Sequence, residues 1–163
     1  MMNLEAQSKK PFQIPNWLPF VFLIVSALGF ADATYLTVKH FLGTPVPCSI
    51  LHGCEIVLNS KYSIIYGVPT AMLGALFYLT VMVLSAIYLE TKKIIILKLV
   101  ASVITLGFLA SLGFVYIQLF VLKSICLYCM WSAVTSTTLF IFSLVFWRKS
   151  KMLNSEIPPT PTN

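Results

Sequence analysis

IIYGVPTAMLGALFYLTVMVLSAIYL, residues 64–89, runs without one charged side chain. A helix needs about 20 residues to cross the ~30 Å of hydrocarbon in a bilayer. No water inside a bilayer can pair backbone N–H and C=O groups, so a run of this kind has to satisfy them internally, as a helix. The same reading extends on both sides. Residues 90–93 are polar and few, enough for a tight turn, and a second apolar run fills residues 94–122 with Lys98 near its start. Lys123 and Ser124 barely separate that run from a third, residues 125–147. Toward the N-terminus, residues 17–38 are apolar except for Asp32. An all-α integral membrane protein is expected, a bundle of four transmembrane helices at about 17–38, 64–89, 94–122 and 125–147.

Composition agrees with that class. Of the 163 residues, 58% are hydrophobic and 10% charged, where a soluble domain has about a quarter charged. The length suits one small bundle, with no room for a second globular domain. The net charge of +6 does not point to a nucleic-acid partner, because Lys and Arg at helix ends set topology and meet anionic lipid. Residues 1–16 are expected to be a cytoplasmic segment. Residues 148–163, with Pro158, Pro159 and Pro161, are expected to be a disordered cytoplasmic tail. The one real loop is 39–63, whose Gly43, Pro45, Pro47 and Gly53 resist regular structure. Within it, residues 55–63 are expected to form a short interfacial helix, with Ile56, Val57 and Leu58 turned into the interface.

Orientation follows from the basic residues. Lys9, Lys10, Lys92, Lys93, Arg148, Lys149 and Lys151 fall on one side, and Lys39, Lys61 and Lys123 on the other. The richer side is expected to be cytoplasmic, which puts both termini inside and the long loop outside. Lys98 can snorkel to the inner surface. Ala31-Asp32-Ala33 formally fits a signal-peptidase site, but a signal's apolar region is usually ~7–15 residues and this one is longer.

The chemistry-bearing residues are four cysteines, Cys48, Cys54, Cys126 and Cys129. All four fall on the outer side, where disulfides persist. Cys126-Leu-Tyr-Cys129 opens the last span, and a helix N-terminus stabilises a thiolate and lowers its pKa. Cys48 and Cys54 can close a small flexible ring around Gly53. Such a pair can meet a soluble partner and swing down to Cys126, or it is a structural clip on a loop. A zinc site is disfavoured, since structural sites use two short knuckles and only one is present. Two dithiol pairs at one membrane face can pass a disulfide between a soluble protein and a carrier dissolved in lipid. A non-enzymatic membrane adaptor with structural disulfides is the other reading.

The chain resembles bacterial homologues of vitamin K epoxide reductase. The likeness rests on D-A-T-Y-L-T-V-K-H (32–40), Cys48, Gly53-Cys54, Ser60 six residues later, G-V-P-T-A-M-L-G-A-L-F-Y (67–78) and C-L-Y-C (126–129). The DsbB-type quinone oxidases also have four spans but carry C-x-x-C first, and are the alternative. The resemblance implies a quinone-dependent thiol–disulfide oxidoreductase in the bacterial inner membrane, supporting disulfide formation on the periplasmic side. It implies that Cys48 exchanges with a soluble thioredoxin-like (DsbA-like) partner, that Cys54 relays to Cys126, and that Cys129 faces a quinone. Ser60 matches the family's serine near that site, and Thr70, Phe77 and Tyr78 are candidates to line the quinone pocket. Vertebrate members carry an asparagine where this chain has Thr70 and a tyrosine where it has Ala133. Ubiquinone or menaquinone, with no metal, is therefore expected rather than an epoxide. Many bacterial members carry a fused thioredoxin-like domain, and here the partner is expected in trans.

Asp32 is expected to be functional or to bond Tyr35 or the outer loop. His40 and His52 flank the loop cysteines and are expected to be solvated. Gly67, Ala71 and Ala75, and likewise Gly107 and Ser111, form small-residue faces suited to close helix packing.

Overall fold

A computed structural model describes residues 17–46 and 53–155. Cys48 and His52, the segment 1–16 and the last residues of the tail lie outside the described residues. The elements are α1 (Trp17–Leu42), α2 (Gly53–Leu58), the two-residue strands β1 (Ile64–Ile65) and β2 (Val68–Pro69), α3 (Thr70–Thr91), α4 (Ile94–Tyr116), a π turn (Ile117–Val121) and α5 (Leu127–Ser155). Four helical segments are long and apolar enough to cross a membrane: Trp17–Leu42, Thr70–Thr91, Ile95–Val121 and Leu127–Val145. Only 17% to 28% of each is buried inside the bundle, and the rest presents large apolar side chains such as Phe20, Ile24, Leu106, Leu109 and Ile141 outward. A soluble protein could not expose such a surface, whereas lipid covers it without cost.

The centre is a small apolar core in which Phe22 and Ala33 of α1, Tyr78 and Val81 of α3, Val100 and Ile104 of α4, and Leu139 of α5 are all buried. The most extensive contact is between α1 and α3. On the α4–α5 seam Phe108 stacks on Phe140, with ring centroids 4.2 Å apart, and Ser136 Oγ donates to Ser111 Oγ at 2.8 Å. Ser111 therefore does sit at a close helix contact, and so does Gly107, where a Cβ would run into the Phe77 ring.

Three boundaries differ from the sequence expectation. The first helix continues through Lys39 and His40 to Leu42, four residues further. The second helix starts at Thr70, not at residue 64. Ile64 and Ile65 instead pair antiparallel with Pro69 and Val68, across a turn in which Tyr66 and Gly67 both have positive φ, 50° and 80°. That is the signature of a tight hairpin turn whose twist matches its strands. Proline drives the residue before it to extended backbone, so Val68 is a strand residue. Gly67 is thus a turn glycine with open space around it, not part of a helix-packing face. The third difference is the tail, which is helical to Ser155. Arg148, Lys149 and Lys151 are good helix formers, and proline first appears at Pro158.

The up-and-down order brings the end of α1, α2, the hairpin, the π turn and the start of α5 to one end of the bundle. Lys39, Lys61 and Lys123 belong to that end. The α3–α4 turn is at the other, where Lys92 adopts left-handed backbone (φ 52°) and its N–H bonds the Tyr88 carbonyl at 2.9 Å.

Candidate active site at the membrane edge

Two short irregular pieces build the site. The first is the π turn. Its extra backbone turn swings Gln118 inward, where only 2% of it is exposed. Gln118 Oε1 accepts a hydrogen bond of 2.9 Å from the backbone N–H of Cys126. The Gln118 carbonyl accepts a second, 3.1 Å, from Ser124 N–H, across a reversal in which Lys123 has φ 48°. One residue thus ties down both ends of the link that delivers Cys126 to the head of α5. π turns concentrate at functional sites, and no pattern in the apolar run 94–122 announces this one.

The second piece is α2. Gly53 lies so close to Ile125 that a Cβ would collide with the Ile125 carbonyl oxygen. Only glycine allows this approach. Gly53 was expected to supply flexibility, but here it supplies contact, packing the start of α2 against the backbone just before Cys126. Cys54, the next residue, is fully buried and disulfide-bonded. Cys126 is fully buried as well. Cys126 and Cys129 are free thiols, and Cys129 is partly exposed. Cys48 lies outside the described residues.

Cys126 precedes the membrane-length part of α5. Its thiol is held at about 7, below an ordinary 9.0, chiefly by a hydrogen bond from the Cys129 side chain. Burial opposes this, and backbone hydrogen bonds at Cys129 and Tyr128 add to the lowering. A thiol lowered in this way is present in part as the thiolate, the reactive form of cysteine.

Beneath this edge is a cavity of about 280 Å³. Cys129 is on its wall. Ser60, Thr70, Phe77 and Tyr78, singled out from the sequence, are also on it, as are Ala133 and Asp32. Most of the remaining lining is apolar, including Leu36, Leu58, Leu73, Phe114 and Ile117. Val57 and Leu58 were expected to turn into the interface and instead line the cavity, Ile56 is half exposed, and the short helix spans Gly53–Leu58 rather than 55–63. Ser60 Oγ is engaged, donating to the Val57 carbonyl at 2.7 Å, and Ser63 Oγ donates to the Ser60 carbonyl at 2.7 Å. This chain of bonds carries the backbone from α2 into the hairpin. The Tyr78 hydroxyl is saturated, with Ser132 O at 2.8 Å, Ser132 Oγ at 2.9 Å and Thr135 Oγ1 at 2.7 Å. Tyr78 thus braces α3 against α5 and has no free valence for a ligand.

Asp32 does not bond Tyr35 through its buried oxygen, since Oδ2 has no hydrogen-bond partner. Tyr35 instead lies against the Tyr128 ring, 5.7 Å between centroids, with the Lys39 ammonium 5.8 Å above it. His40 packs edge-on against Phe41, away from the cysteines' cavity.

Comparison with known proteins agrees with this arrangement. The chain is similar to the thiol-disulfide oxidoreductase LTO1 of Arabidopsis thaliana, 34% identical over 125 residues. That match covers 69% of this chain and 32% of the relative, so the chain spans about a third of the length of the plant protein. Residues 20–144 match the sequence profile of the vitamin K epoxide reductase family. With four membrane-length helices and C-x-x-C at the head of the last, the chain belongs to the vitamin K epoxide reductase family.

Proposed function

We propose that this protein is a membrane thiol–disulfide oxidoreductase that oxidises a thioredoxin-like partner outside the cytoplasm and passes two electrons to a membrane quinone. The observation that carries the reading is the placement of Cys129 on the wall of an apolar cavity, directly beneath a buried Cys126 and the docked α2. A thiol facing a lipid-soluble acceptor has to lie in such a place, and a merely structural disulfide does not.

The loop arm handles the soluble partner. Attack by a partner thiolate on the Cys48–Cys54 disulfide gives a mixed disulfide at Cys48 and frees Cys54. The second partner thiol resolves it, leaving the partner oxidised and both loop thiols reduced. Cys54, held beside Cys126 by the Gly53–Ile125 contact, then attacks the oxidised C-x-x-C pair at Cys126 and releases Cys129 as a thiol. Cys48 closes back on Cys54 and frees Cys126. This leaves Cys126 and Cys129 as a reduced pair. A quinone supplies the final acceptor of two electrons and two protons. The apolar walls fit its ring, and Thr70, Phe77, Ala133 and Cys129 would surround it. Thr70 and Ala133 present neither the amide nor the phenol of the vertebrate pattern, which favours ubiquinone or menaquinone over an epoxide. Electrons run this way because the quinone is the more oxidising couple.

The excess of basic residues at the end opposite the cysteines supports cytoplasmic termini in a bacterial inner membrane, with the cysteines on the periplasmic side. The test is to mix purified protein, a reduced thioredoxin-like partner and a short-chain ubiquinone and follow quinone absorbance. Catalytic loss of the quinone is expected, falling to background in Cys129→Ala, while that variant still oxidises about one equivalent of partner through its loop disulfide. Quinone left untouched by the wild-type protein contradicts the reading.

A further inference from the structure

Among the described residues, Asp32 is the one carboxylate on the cavity wall. It lies on α1 ten residues before Leu42, about 15 Å along the helix from its cysteine-side end. Its Oδ2 is buried and accepts no hydrogen bond. A carboxylate at such depth is costly unless it is paired or used. No partner for that oxygen exists among the described residues, so pairing does not account for it.

Taking the cavity as the quinone site, we propose that Asp32 is its proton carrier, moving a proton from Cys129 to the acceptor. Closing the Cys126–Cys129 disulfide breaks two S–H bonds and makes one S–S bond. It gives up two electrons, which go to the acceptor, and two protons, which end on the acceptor's two oxygens. Asp32 Oδ2 takes the proton leaving Cys129 Sγ and hands it to one of those oxygens. The proton from Cys126 leaves to water at the membrane edge, and the second oxygen takes one from the same water. Oδ2 makes no hydrogen bond with Cys129 in this structure. Rotation of the Cys129 side chain, or one water in a cavity that has room for it, closes the gap.

The other titratable groups around the cavity do not serve. From α3 there is Tyr78, whose hydroxyl is fully bonded. From the segment between α2 and the hairpin there is Tyr62, whose ring carries the Lys61 ammonium 5.4 Å away. From the head of α5 come the two cysteines themselves and Tyr128, which lies against Tyr35. The π turn and α4 present Gln118 and Ser111, which do not titrate. Among the described residues, Asp32 is the acid–base group left over.

The experiment uses the full chain in detergent, wild type, Asp32→Asn and Asp32→Glu. Pre-reduced protein is mixed with a short-chain ubiquinone, and the single-turnover rate is followed against pH. Separately, and with no quinone present, infrared difference spectra are taken between the reduced and oxidised Cys126–Cys129 pair. Exchange of the loop disulfide with a reduced partner reports on folding. Asp32→Asn should slow quinone reduction by about 10²–10⁴-fold, the usual worth of a positioned acid–base group, and flatten its pH profile. Loop exchange should stay intact, and Asp32→Glu should recover part of the rate. The carboxyl stretch should shift as the thiol is lost, in wild type and not in Asp32→Asn. A wild-type rate in Asp32→Asn, or no carboxyl shift, overturns the proposal and leaves the quinone reading standing. Loss of loop exchange in both variants marks Asp32 as structural and overturns it too. A wild-type protein that shows the shift but reduces no quinone overturns the quinone reading alone.

Discussion

The two cysteine arms are equally buried where they meet and are held in opposite ways. Cys126 belongs to the bundle. It heads a membrane-length helix, and Gln118 bonds its backbone from a neighbouring span. Cys54 is on a six-residue helix held against that link where Gly53 meets Ile125. A helix this short has little stability of its own. In the proposed relay, the arm that serves both a soluble partner and the membrane pair is the one attached by a local contact, and the arm beside the cavity is built in. The difference separates a movable carrier from a fixed one.

Breaking the local contact should have the largest effect on that difference. Gly53→Ala places a methyl where the Ile125 carbonyl is, so α2 must lift. A displacement of about 1 Å at a reacting centre costs roughly 10²-fold in rate. Transfer from the loop arm to Cys126 should fall by about that factor, while one-equivalent oxidation of the partner by the loop disulfide continues at its normal rate. Rapid-quench alkylation separates the two steps. Equal slowing of both would mean that α2 is not a docked carrier.

Weakening the fixed arm should act on stability first. Gln118→Ala leaves the buried Cys126 N–H unpaired, at a cost of about 1–3 kcal/mol. Thermal unfolding should show that loss. An unchanged Tm in the alanine variant would show that the π turn does not hold Cys126.

The smallest expected effect is on thiol reactivity. Because the Cys126 thiol titrates at about 7, its alkylation in reduced protein should rise to a plateau with a midpoint near that pH. The thiolate is favoured by the hydrogen bond from Cys129, so Cys129→Ala should move the midpoint back up toward 9.0. Peptide mass spectrometry across a pH series reads both midpoints. An identical midpoint in the two proteins would place the cause elsewhere, in the backbone groups at the head of α5.

The sequence makes the bundle plain because lipid leaves a long uncharged run only one way to pair its backbone. It also shows the cysteines, whose spacing is chemical rather than conformational, and Ser60, Thr70 and Phe77, all of which line the cavity. Other features are hidden for identifiable reasons. The hairpin at 64–69 is as apolar as the helix that follows it, so hydropathy merges the two, although Gly67-Val68-Pro69 carries the turn signal. The π turn changes no residue type at all, and Gln118 reads as a stray polar residue in an apolar run. Gly53 reads as a flexible joint because a sequence cannot show that a second backbone passes beside it. Tyr78 looks like a pocket residue and is instead a brace, a distinction that depends on hydroxyls 54 and 57 residues away along the chain.

In the proposed relay the movable arm hands its electrons to the fixed one through Cys54 and Cys126. Removing Cys48 takes away the thiol that would resolve that link. Cys48→Ser protein, oxidised with a short-chain ubiquinone and isolated under non-reducing conditions, should therefore yield a peptide pair joined through Cys54 and Cys126, identified by mass spectrometry. A variant that forms no such link while the wild-type protein still oxidises its partner through Cys129 would contradict the relay.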